Sequence, residues 1–320
     1  MGDLPFEKTE KQILIRSESI GEIGLAQNER SAEQLLDHGI VIIDKPSGPS
    51  SHEVSSFVQK IIKIDKAGHT GTLDPGVTGV LPVALGKGTK IVQALLNSGK
   101  EYIALMHLHD EVTPRQLKDA FKKFKGKIKQ FPPQKSAVKR RWRYRSVYYV
   151  EVLEVDGKDV LFKIGCEAGT YIRKYIHDMG EHLGVGAHMQ ELRRTKAGPF
   201  NDRDMVTLQD LSDAFHYYKE EGDDTMIKKY IKPLETAVEH LHKVWIHDGA
   251  VKPLSHGVNL MVPGIAKLHQ GIEPDMMVAV MSQKDQLIAL GRSHLSSKKL
   301  LEEEKGLGVD IQKVFYFDNE

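Results

Sequence analysis

A glycine-rich loop presents one carboxylate, Asp74, in a setting suited to nucleophilic chemistry. The stretch GHTGTLDPGVTGVLPVALG runs from Gly68 to Gly86 and places Asp74 directly before a proline. A residue before proline is driven out of the helical region, so Asp74 should project from a stiff, extended turn. The surrounding glycines permit positive φ angles and close approach of a ligand. Asp-Pro-Gly alone is an ordinary turn signal, but the longer string predicts a loop that displays a reactive group.

The segments around this loop predict the elements that must position it. An apolar run from Gly39 to Ile43 is typical of a buried strand. Ser50 and Glu53 have the spacing of a capping box, and apolar residues follow them at helical intervals. The sequence Asp156-Gly157 predicts the turn of a hairpin that spans 147–165. We therefore predict an α+β fold with further strands at 80–85 and 102–108 and helices at 89–96, 114–124, 171–183 and 208–218.

The sequence pattern of the chain changes after about residue 241. Short β-like runs punctuated by Gly and Pro replace the alternation of helices and strands. Such spacing predicts a separate small β-barrel of about 75 residues. With 320 residues, of which 40% are hydrophobic, the chain can form two domains with sizeable cores.

Charge is distributed unevenly although the formal net charge is only +1. Between residues 113 and 145 there are thirteen Lys or Arg against one acid, whereas residues 201–225 hold eight acids against two bases. This polarity favours one face for RNA and another for a different partner. The single cysteine, Cys166, indicates a reducing, cytoplasmic setting. The sequence contains no run of 18 to 20 apolar residues, the length that would predict a membrane span.

A metal-dependent hydrolase is a rival interpretation. His107 and His109 lie two residues apart and are followed by Asp110, so both imidazoles would share one face of a strand. The chain lacks HExxH and a clear set of remaining ligands. We therefore expect no metal site.

The string around Asp74 closely resembles the catalytic motif of the TruB family of pseudouridine synthases, in which this aspartate attacks the target uridine. Three further segments match that family in order: IDKPSGPSSHEV, GKEYIALM and EAGTYIRKYIHDMG. The resemblance implies that Asp74, Tyr102 and Arg173 are catalytic. It places Lys45 in a loop that supports the site and assigns substrate contacts to Tyr171 and to Leu192 in MQELRRT.

The implied reaction explains these residue types. Isomerisation detaches uracil from C1′, turns it and rejoins it through C5, so no cofactor is required. A carboxylate acts covalently at either C1′ of the ribose or C6 of the base. Arg173 would keep Asp74 ionised, as a buried pair whose disruption costs about 3 to 5 kcal/mol. Tyr102 would stack on the base and move a proton.

The target atoms are inaccessible inside a stacked helix, so the nucleotide must be flipped out before the enzyme can act on it. The resemblance implies that His69 occupies the vacated position. The segment FPPQKSAVKRRWRYR resembles the family's substrate-clamping loop, although Lys135 replaces a tyrosine that is usual there. It supplies Lys139, Arg140, Arg141 and Arg143 for phosphates, and Trp142 and Tyr144 for stacking.

The last 75 or so residues resemble a PUA domain, an RNA-binding module. Gly257 and Gly264 lie in its glycine-bearing segments. We predict a pseudouridine synthase domain with a mixed, largely antiparallel sheet at 36–243, and a PUA domain at 244–320. Residues 1–35 should pack on the PUA domain.

One branch of the family fits best. The segment HLHDEVT stands where stand-alone tRNA enzymes have threonine-aspartate-threonine, so the chain resembles the archaeal dyskerin-like subunit of H/ACA ribonucleoproteins. That branch implies an H/ACA guide RNA, a substrate rRNA or tRNA, a small glycine-arginine-type protein, a small zinc-ribbon-like protein and a kink-turn-binding protein as partners. A stand-alone tRNA enzyme and a non-catalytic PUA scaffold are the alternatives.

Overall fold

The computed structural model describes residues 2–8, 10–132 and 141–316. In these residues every helix is too short or too polar to cross a membrane. The α-helices are α1 Ala32–His38, α2 Ser51–Ile61, α3 Val92–Leu96, α4 Pro114–Lys123, α5 Ile172–Leu183, α6 Leu208–Glu220, α7 Thr225–Tyr230, α8 Asp248–Ser255 and α9 Ser297–Glu302. The strands are β1 Ile13–Ile15, β2 Gly39–Lys45, β3 Ala67–His69, β4 Thr78–Leu85, β5 Lys100–Leu108, β6 Gly126–Gln130, β7 Arg143–Asp156, β8 Asp159–Cys166, β9 Ala187–Ala197, β10 Phe200–Asn201, β11 Ile231–Pro233, β12 His242–Ile246, β13 Leu260–Met261, β14 Ile265–His269, β15 Met277–Met281, β16 Leu287–Ser293 and β17 Leu307–Val314.

The larger sheet carries Tyr102 on β5 and includes the two strands, β3 and β4, that flank the loop of Asp74. In the described residues it has ten strands, with the order β11-β2-β4-β9-β5-β8-β7-β6, and with β3 paired to β4 and β10 to β9. Strands β4 and β9 run parallel, and the other named pairs are antiparallel. The predicted α+β class with a mixed, largely antiparallel sheet is confirmed.

Local sequence determines the helices that cover this sheet. The Ser50 side chain accepts from the Glu53 amide and Glu53 accepts in return from the Ser50 amide, so α2 begins with the predicted capping box. Helices α1, α2 and α6 pack on β2 and β4 in one apolar cluster. Helices α4 and α5 pack on β5 and β8 in another. The predicted helix at 89–96 is α-helical only over α3, because residues 86–91 form a tighter 3-10 helix.

The second sheet belongs to the C-terminal part of the chain. Its seven described strands have the order β1-β14-β12-β15-β16-β17-β13, around an apolar core of their own. Strand β1 comes from the beginning of the chain and pairs antiparallel with β14, with Ile13 opposite His269. The N-terminal segment therefore supplies an edge strand to this sheet.

The two sheets share a hydrophobic junction. Ile40, Val80 and Leu95 pack in one cluster with Trp245 and Met281 from the second sheet. Glu235 lies buried nearby, where its Oε1 accepts from the Arg30 guanidinium at 2.6 Å and from the Leu287 amide at 2.7 Å. A common core and buried polar bonds therefore fix the C-terminal sheet to the catalytic part of the chain.

His240 lies in the segment that connects the two sheets. Its Nε2 donates to the Ala94 carbonyl in α3, at 3.0 Å, and Phe6 packs edge-on against the ring. Burial lowers the pKa of His240 from 6.5 to about 4. The imidazole is therefore neutral at physiological pH.

Candidate active site

The loop between β3 and β4 presents Asp74 to solvent. Gly71 adopts a positive φ of 80° before the carboxylate, and the Val77 amide donates to the Asp74 carbonyl at 3.0 Å after it. The Ser51 hydroxyl accepts from the Leu73 amide at 2.8 Å and donates to the Leu73 carbonyl at 3.1 Å. Because these bonds fix the backbone on both sides, the 57% exposed carboxylate is held in place without being covered.

Lys45 supports this loop from below. It is fully buried at the end of β2, and its Nζ donates to the carbonyls of Pro46, Pro75 and Val77 at 2.8 to 2.9 Å. Burial lowers the pKa of Lys45, and the nearby Asp74 charge opposes that shift. The ammonium group of Lys45 thus faces backbone oxygens of the loop, which is compatible with the predicted supporting role.

Arg173 meets Asp74 from the first turn of α5. Its Nη2 donates to Oδ2 of Asp74, across 99 residues of sequence. Both side chains are 57% exposed, so the expectation of a buried pair is wrong. The first turn of α5 opens to solvent where it faces the loop, and an exposed ion pair contributes only about 0 to 1 kcal/mol to stability.

Tyr171 is the N-cap residue of α5 and has no side-chain cap bond. The buried side chain of Gln130 holds its backbone instead: the Tyr171 amide donates to Gln130 Oε1 at 3.0 Å, and Gln130 Nε2 donates to the Tyr171 carbonyl at 3.1 Å. The turn that carries Arg173 is therefore anchored to the end of β6.

Tyr102 lies on β5 beside a residue that the sequence analysis missed. Arg194 on β9 is only 1% exposed and lies opposite Tyr102 in the register of the two strands. Burial raises the pKa of Tyr102, and the Arg194 charge acts against that rise. The double arginine in MQELRRT was the available signal, but the sequence alone does not separate half-buried Arg193 from fully buried Arg194.

His69 and Leu192 flank the site. Nδ1 of His69 lies 3.1 Å from the Ser55 hydroxyl and Nε2 lies 3.2 Å from that of Thr72, so both ring nitrogens are engaged within the chain. Burial lowers the pKa of His69, which favours the neutral ring. Leu192 is half-buried on β9 and packs against the same cluster as Tyr102. Its position is compatible with a pocket for a base.

The basic segment begins after β6 and ends within β7. Lys139 and Arg140 lie outside the described residues, and Arg141 is exposed. Lys129 Nζ lies 4.8 Å from the Trp142 ring centroid, and Lys127 Nζ lies 4.6 Å from that of Tyr144. These four residues form a cation-aromatic surface suited to phosphates and bases. Arg143 is half-buried and paired in register with Gln130, on the opposite face of the ribbon.

The histidines behind the rival metal interpretation have other partners. His107 Nδ1 lies 2.7 Å from Asp159 Oδ1, and His109 Nε2 lies 3.0 Å from His188 Nδ1. Across residues 2–8, 10–132 and 141–316, no group of three or more His, Cys, Asp or Glu side chains is arranged to hold a metal ion.

Gly257 and Gly264 lie far along the chain from these residues, beside α8. Gly257 follows the C-terminus of α8 with a φ of 81°, and a Cβ there would meet nothing within 4 Å. Gly264 accepts from the His247 amide through its carbonyl, at 2.9 Å. Gly257 is thus an open position where another chain can approach closely.

Together the groups around Asp74 make a site for covalent chemistry at a base or sugar. An exposed carboxylate can act as a nucleophile, a guanidinium bonded to it can orient it, and a nearby phenol can transfer a proton. Three buried cations surround the loop: Lys45, Lys100 and Arg194, all at most 5% exposed. These three cations donate to carbonyl oxygens and not to Asp74. Among the described contacts, Asp74 is therefore paired only with Arg173, which is more exposed.

Family models match nearly the whole chain. The model described as "TruB family pseudouridylate synthase (N terminal domain)" matches residues 59–172, and "tRNA pseudouridylate synthase B C-terminal domain" matches residues 173–239. "PUA domain" matches residues 242–315, and "DKCLD (NUC011) domain" matches residues 3–55.

Curated relatives and solved structures agree with these matches. "Probable tRNA pseudouridine synthase B" of Pyrococcus horikoshii is 52% identical over 95% of this chain and 92% of its own length. The protein of that name from Methanopyrus kandleri is 47% identical over 97% of this chain and 92% of its own. A chain in the "Crystal Structure of a Cbf5-Nop10-Gar1 Complex" superposes with a TM-score of 0.95 at 52% identity, covering 98% of this chain and 96% of that one. A chain in the "Structure of H/ACA RNP bound to a substrate RNA containing 2'-deoxyuridine" superposes with a TM-score of 0.92 at 48% identity, covering 99% and 98%.

Proposed function

The chain belongs to the TruB family of pseudouridylate synthases, and we propose that it is the catalytic subunit of an H/ACA ribonucleoprotein. It is a pseudouridine synthase with a C-terminal PUA domain. In the proposed complex, a guide RNA selects the uridine in rRNA, and any tRNA target is selected in the same way. The observation that carries the proposal is the superposition along the whole chain, from the N-terminal segment to the PUA domain, on chains from two H/ACA-type complexes.

The partners we propose follow from those complexes. One neighbour is a complex of Cbf5 with Nop10 and Gar1, and the other is an H/ACA particle bound to a substrate RNA. We infer that this chain binds an H/ACA guide RNA, a small zinc-ribbon-like protein and a small glycine-arginine-type protein. We add a kink-turn-binding protein on the family resemblance alone, and we place the assembly in the cytoplasm because the one cysteine, Cys166, is a free thiol.

We further propose roles for the site residues and boundaries for the domains. Asp74 is the nucleophile, Arg173 orients it, and Tyr102 accepts the proton. His69 fills the position of the flipped nucleotide, Leu192 and Tyr171 line the base pocket, and the basic segment that includes Lys139 grips substrate. Residues 36–243 form the catalytic domain and 244–320 the PUA domain, to which residues 1–35 add strand β1.

A second function is supported by the names of the curated relatives. Those proteins are called tRNA pseudouridine synthase B, which suggests a stand-alone enzyme that modifies tRNA without a guide. A non-catalytic scaffold has less support, because the contact between Arg173 and Asp74 is intact.

One assay separates these functions. The purified chain is given tRNA alone, or a guide-matched RNA together with guide and partner proteins, and pseudouridine is quantified in each. We expect product with the guided substrate and at least tenfold less with a guide of mismatched sequence. Equal modification of tRNA by the chain alone, with no gain from the guide, would establish the stand-alone function.

Asp74→Asn is the negative control for the same assay. It keeps the shape of the side chain but removes the nucleophile, so product should disappear while RNA binding persists. Asp178→Asn, on α5, is the matched substitution and should retain activity. Wild-type product formation by Asp74→Asn would falsify the nucleophile assignment.

A further inference from the structure

Arg194 is a charged residue held in the interior beside the proposed active site. It is 1% exposed, and in the described part of the chain no carboxylate forms an ion pair with it. Burial lowers its pKa, as expected for a cation removed from water. Because burying an unpaired guanidinium is costly, its retention requires strong compensating contacts.

Those contacts join Arg194 to the catalytic loop and its neighbouring strand. Nη1 donates to the Gly71 carbonyl at 3.2 Å, three residues before Asp74, and Nε donates to the Val80 carbonyl on β4 at 2.7 Å. Arg194 therefore bonds the backbone on both sides of the loop.

Arg194 is also a cross-strand neighbour of Tyr102. Strands β5 and β9 pair with Tyr102 opposite Arg194, next to an irregularity in the register after Glu101. The positive charge of Arg194 acts to lower the pKa of the Tyr102 phenol. Arg194 thus bonds the loop that carries the proposed nucleophile and lies opposite the proposed proton acceptor.

The surrounding glycines show how closely this arrangement is packed. A Cβ at Gly79 would lie 2.2 Å from the Arg194 carbonyl oxygen, so β4 and β9 meet at a distance that only glycine permits. Within the described residues, Nη2 of Arg194 is buried and has no hydrogen-bond partner. A buried donor left unpaired costs free energy, so the bonds to the Gly71 and Val80 carbonyls must offset that cost.

We propose that Arg194 is a positioning residue, which holds the loop of Asp74 against the strand that carries Tyr102 and supplies the positive charge that favours the phenolate form of Tyr102, the form that can accept a proton. The inference rests on the proposed roles of Asp74 and Tyr102. Burial raises the pKa of Tyr102, and the Arg194 charge is the largest influence that opposes this rise. Without Arg194, a smaller fraction of Tyr102 should be the phenolate that can accept a proton at neutral pH.

The direct test follows the ionisation of Tyr102. The protein is labelled with 13C at the ζ carbon of tyrosine, and the Tyr102 resonance is assigned by its loss in Tyr102→Phe. In Arg194→Gln we expect the titration midpoint of Tyr102 to rise by about one pH unit relative to wild type. Arg193→Gln removes the same charge from the neighbouring residue, which pairs with Asp44 at 2.9 Å, and should leave the midpoint unchanged.

The kinetic test measures single-turnover formation of pseudouridine at pH 7. Arg194→Gln should slow this rate about tenfold or more while the Kd for RNA stays within a factor of two. A midpoint and rate equal to those of wild type would overturn the proposal, and so would a loss confined to RNA affinity. Because wild-type product is measured in parallel, failure of the pseudouridine synthase activity itself would be recognised separately.

Arg194→Lys covers the case in which the glutamine variant does not fold. Lysine keeps the charge but cannot bond the Gly71 and Val80 carbonyls at once as the guanidinium does. We expect a Tyr102 midpoint within about 0.3 pH unit of wild type and a rate that is nevertheless reduced. A lysine variant with the full wild-type rate would refute the positioning role.

Discussion

Gln130 grips the backbone of Tyr171 with both ends of its side-chain amide, at 3.0 and 3.1 Å. Gln130 is the last residue of β6, where the basic segment begins, and Tyr171 caps the helix that carries Arg173. The proposed substrate clamp and the partner of Asp74 are therefore attached to each other by two hydrogen bonds.

Replacement of Gln130 by alanine should loosen this attachment. The Tyr171 amide and carbonyl would lose buried partners, and the first turn of α5 would hold Arg173 less accurately. We expect a single-turnover rate about 10 to 100 times lower, measured with guided substrate at saturating concentration. Gln286→Ala removes an equally buried glutamine from the C-terminal domain and should affect stability but not this rate. Equal rates in the two variants would contradict the coupling.

Arg173→Ala should impair catalysis more than binding. Because the pair with Asp74 is exposed, its loss should change the free energy of unfolding by about 1 kcal/mol or less. The single-turnover rate should nevertheless fall at least a hundredfold, since the nucleophile loses its orienting partner. Lys174→Ala, which breaks the adjacent half-buried pair with Asp178, is the control. If Arg173→Ala weakened RNA binding and left the rate unchanged, its role would be phosphate contact.

The PUA domain is proposed to hold the guide RNA, and the shared core forbids testing this by truncation. Gly257→Asp instead adds a negative charge at an open, positive-φ position. We expect the Kd for guide RNA to rise about tenfold through repulsion and lost close approach. Gly222→Asp is the matched control, because Gly222 has a φ of 73° and equally open surroundings. Equal Kd values for the two variants would argue that this surface does not touch guide RNA.

Neutralising the basic segment should change the salt dependence of substrate binding. Fewer counterions are released when Lys139, Arg140 and Arg141 are replaced together by glutamine, so the slope of log K against log salt should flatten by about 2 to 3. The control replaces Lys228, Lys229 and Lys232, on and after α7, and removes the same charge. The measurement is a filter-binding titration of guide-substrate duplex over a series of salt concentrations. An unchanged slope would place the substrate phosphates elsewhere.

His240 should make the protein sensitive to acid. Its pKa is lowered to about 4 in the folded state from an ordinary value of 6.5, so between these values the unfolded chain binds more protons. Stability should therefore fall as the pH is lowered from 6.5 to 4. His240→Gln can still donate a hydrogen bond to Ala94. Between pH 7.5 and 4.5 its free energy of unfolding, measured with urea, should fall by about 2 kcal/mol less than that of wild type. Exposed His216→Gln should behave like wild type, and an identical loss in all three proteins would show that other groups dominate.

Local patterns were sufficient for much of the fold. The capping box of α2, the apolar run of β2 and the hairpin of β7 and β8 all formed where the sequence predicts them, because each depends on neighbouring residues. Strand β9 was missed, although it lies at the centre of the larger sheet. Its charged sequence lacks clean alternation, and only tertiary contacts keep it extended.

The candidate site was predicted only in part, because its geometry also depends on tertiary contacts. The resemblance brought Asp74 and Arg173 together, and the structure places them in contact. Their exposure depends on how α5 meets the loop, which no local pattern encodes. The burial of Arg194 likewise follows from the register between β5 and β9, which two adjacent arginines in the sequence do not reveal.

The pairing of β1 with β14 has a consequence for how the chain is made. Ile13 finds its partner, His269, only after about 250 further residues have been synthesised, which takes about 12 to 50 seconds at ordinary translation rates. During that interval Ile13, Leu14 and Ile15 form an unpaired apolar strand, the kind of segment that aggregates or pairs with other chains. The pairing of β1 with β14 thus closes a very long loop, and the newborn chain depends on that step being faster than its encounters with neighbours.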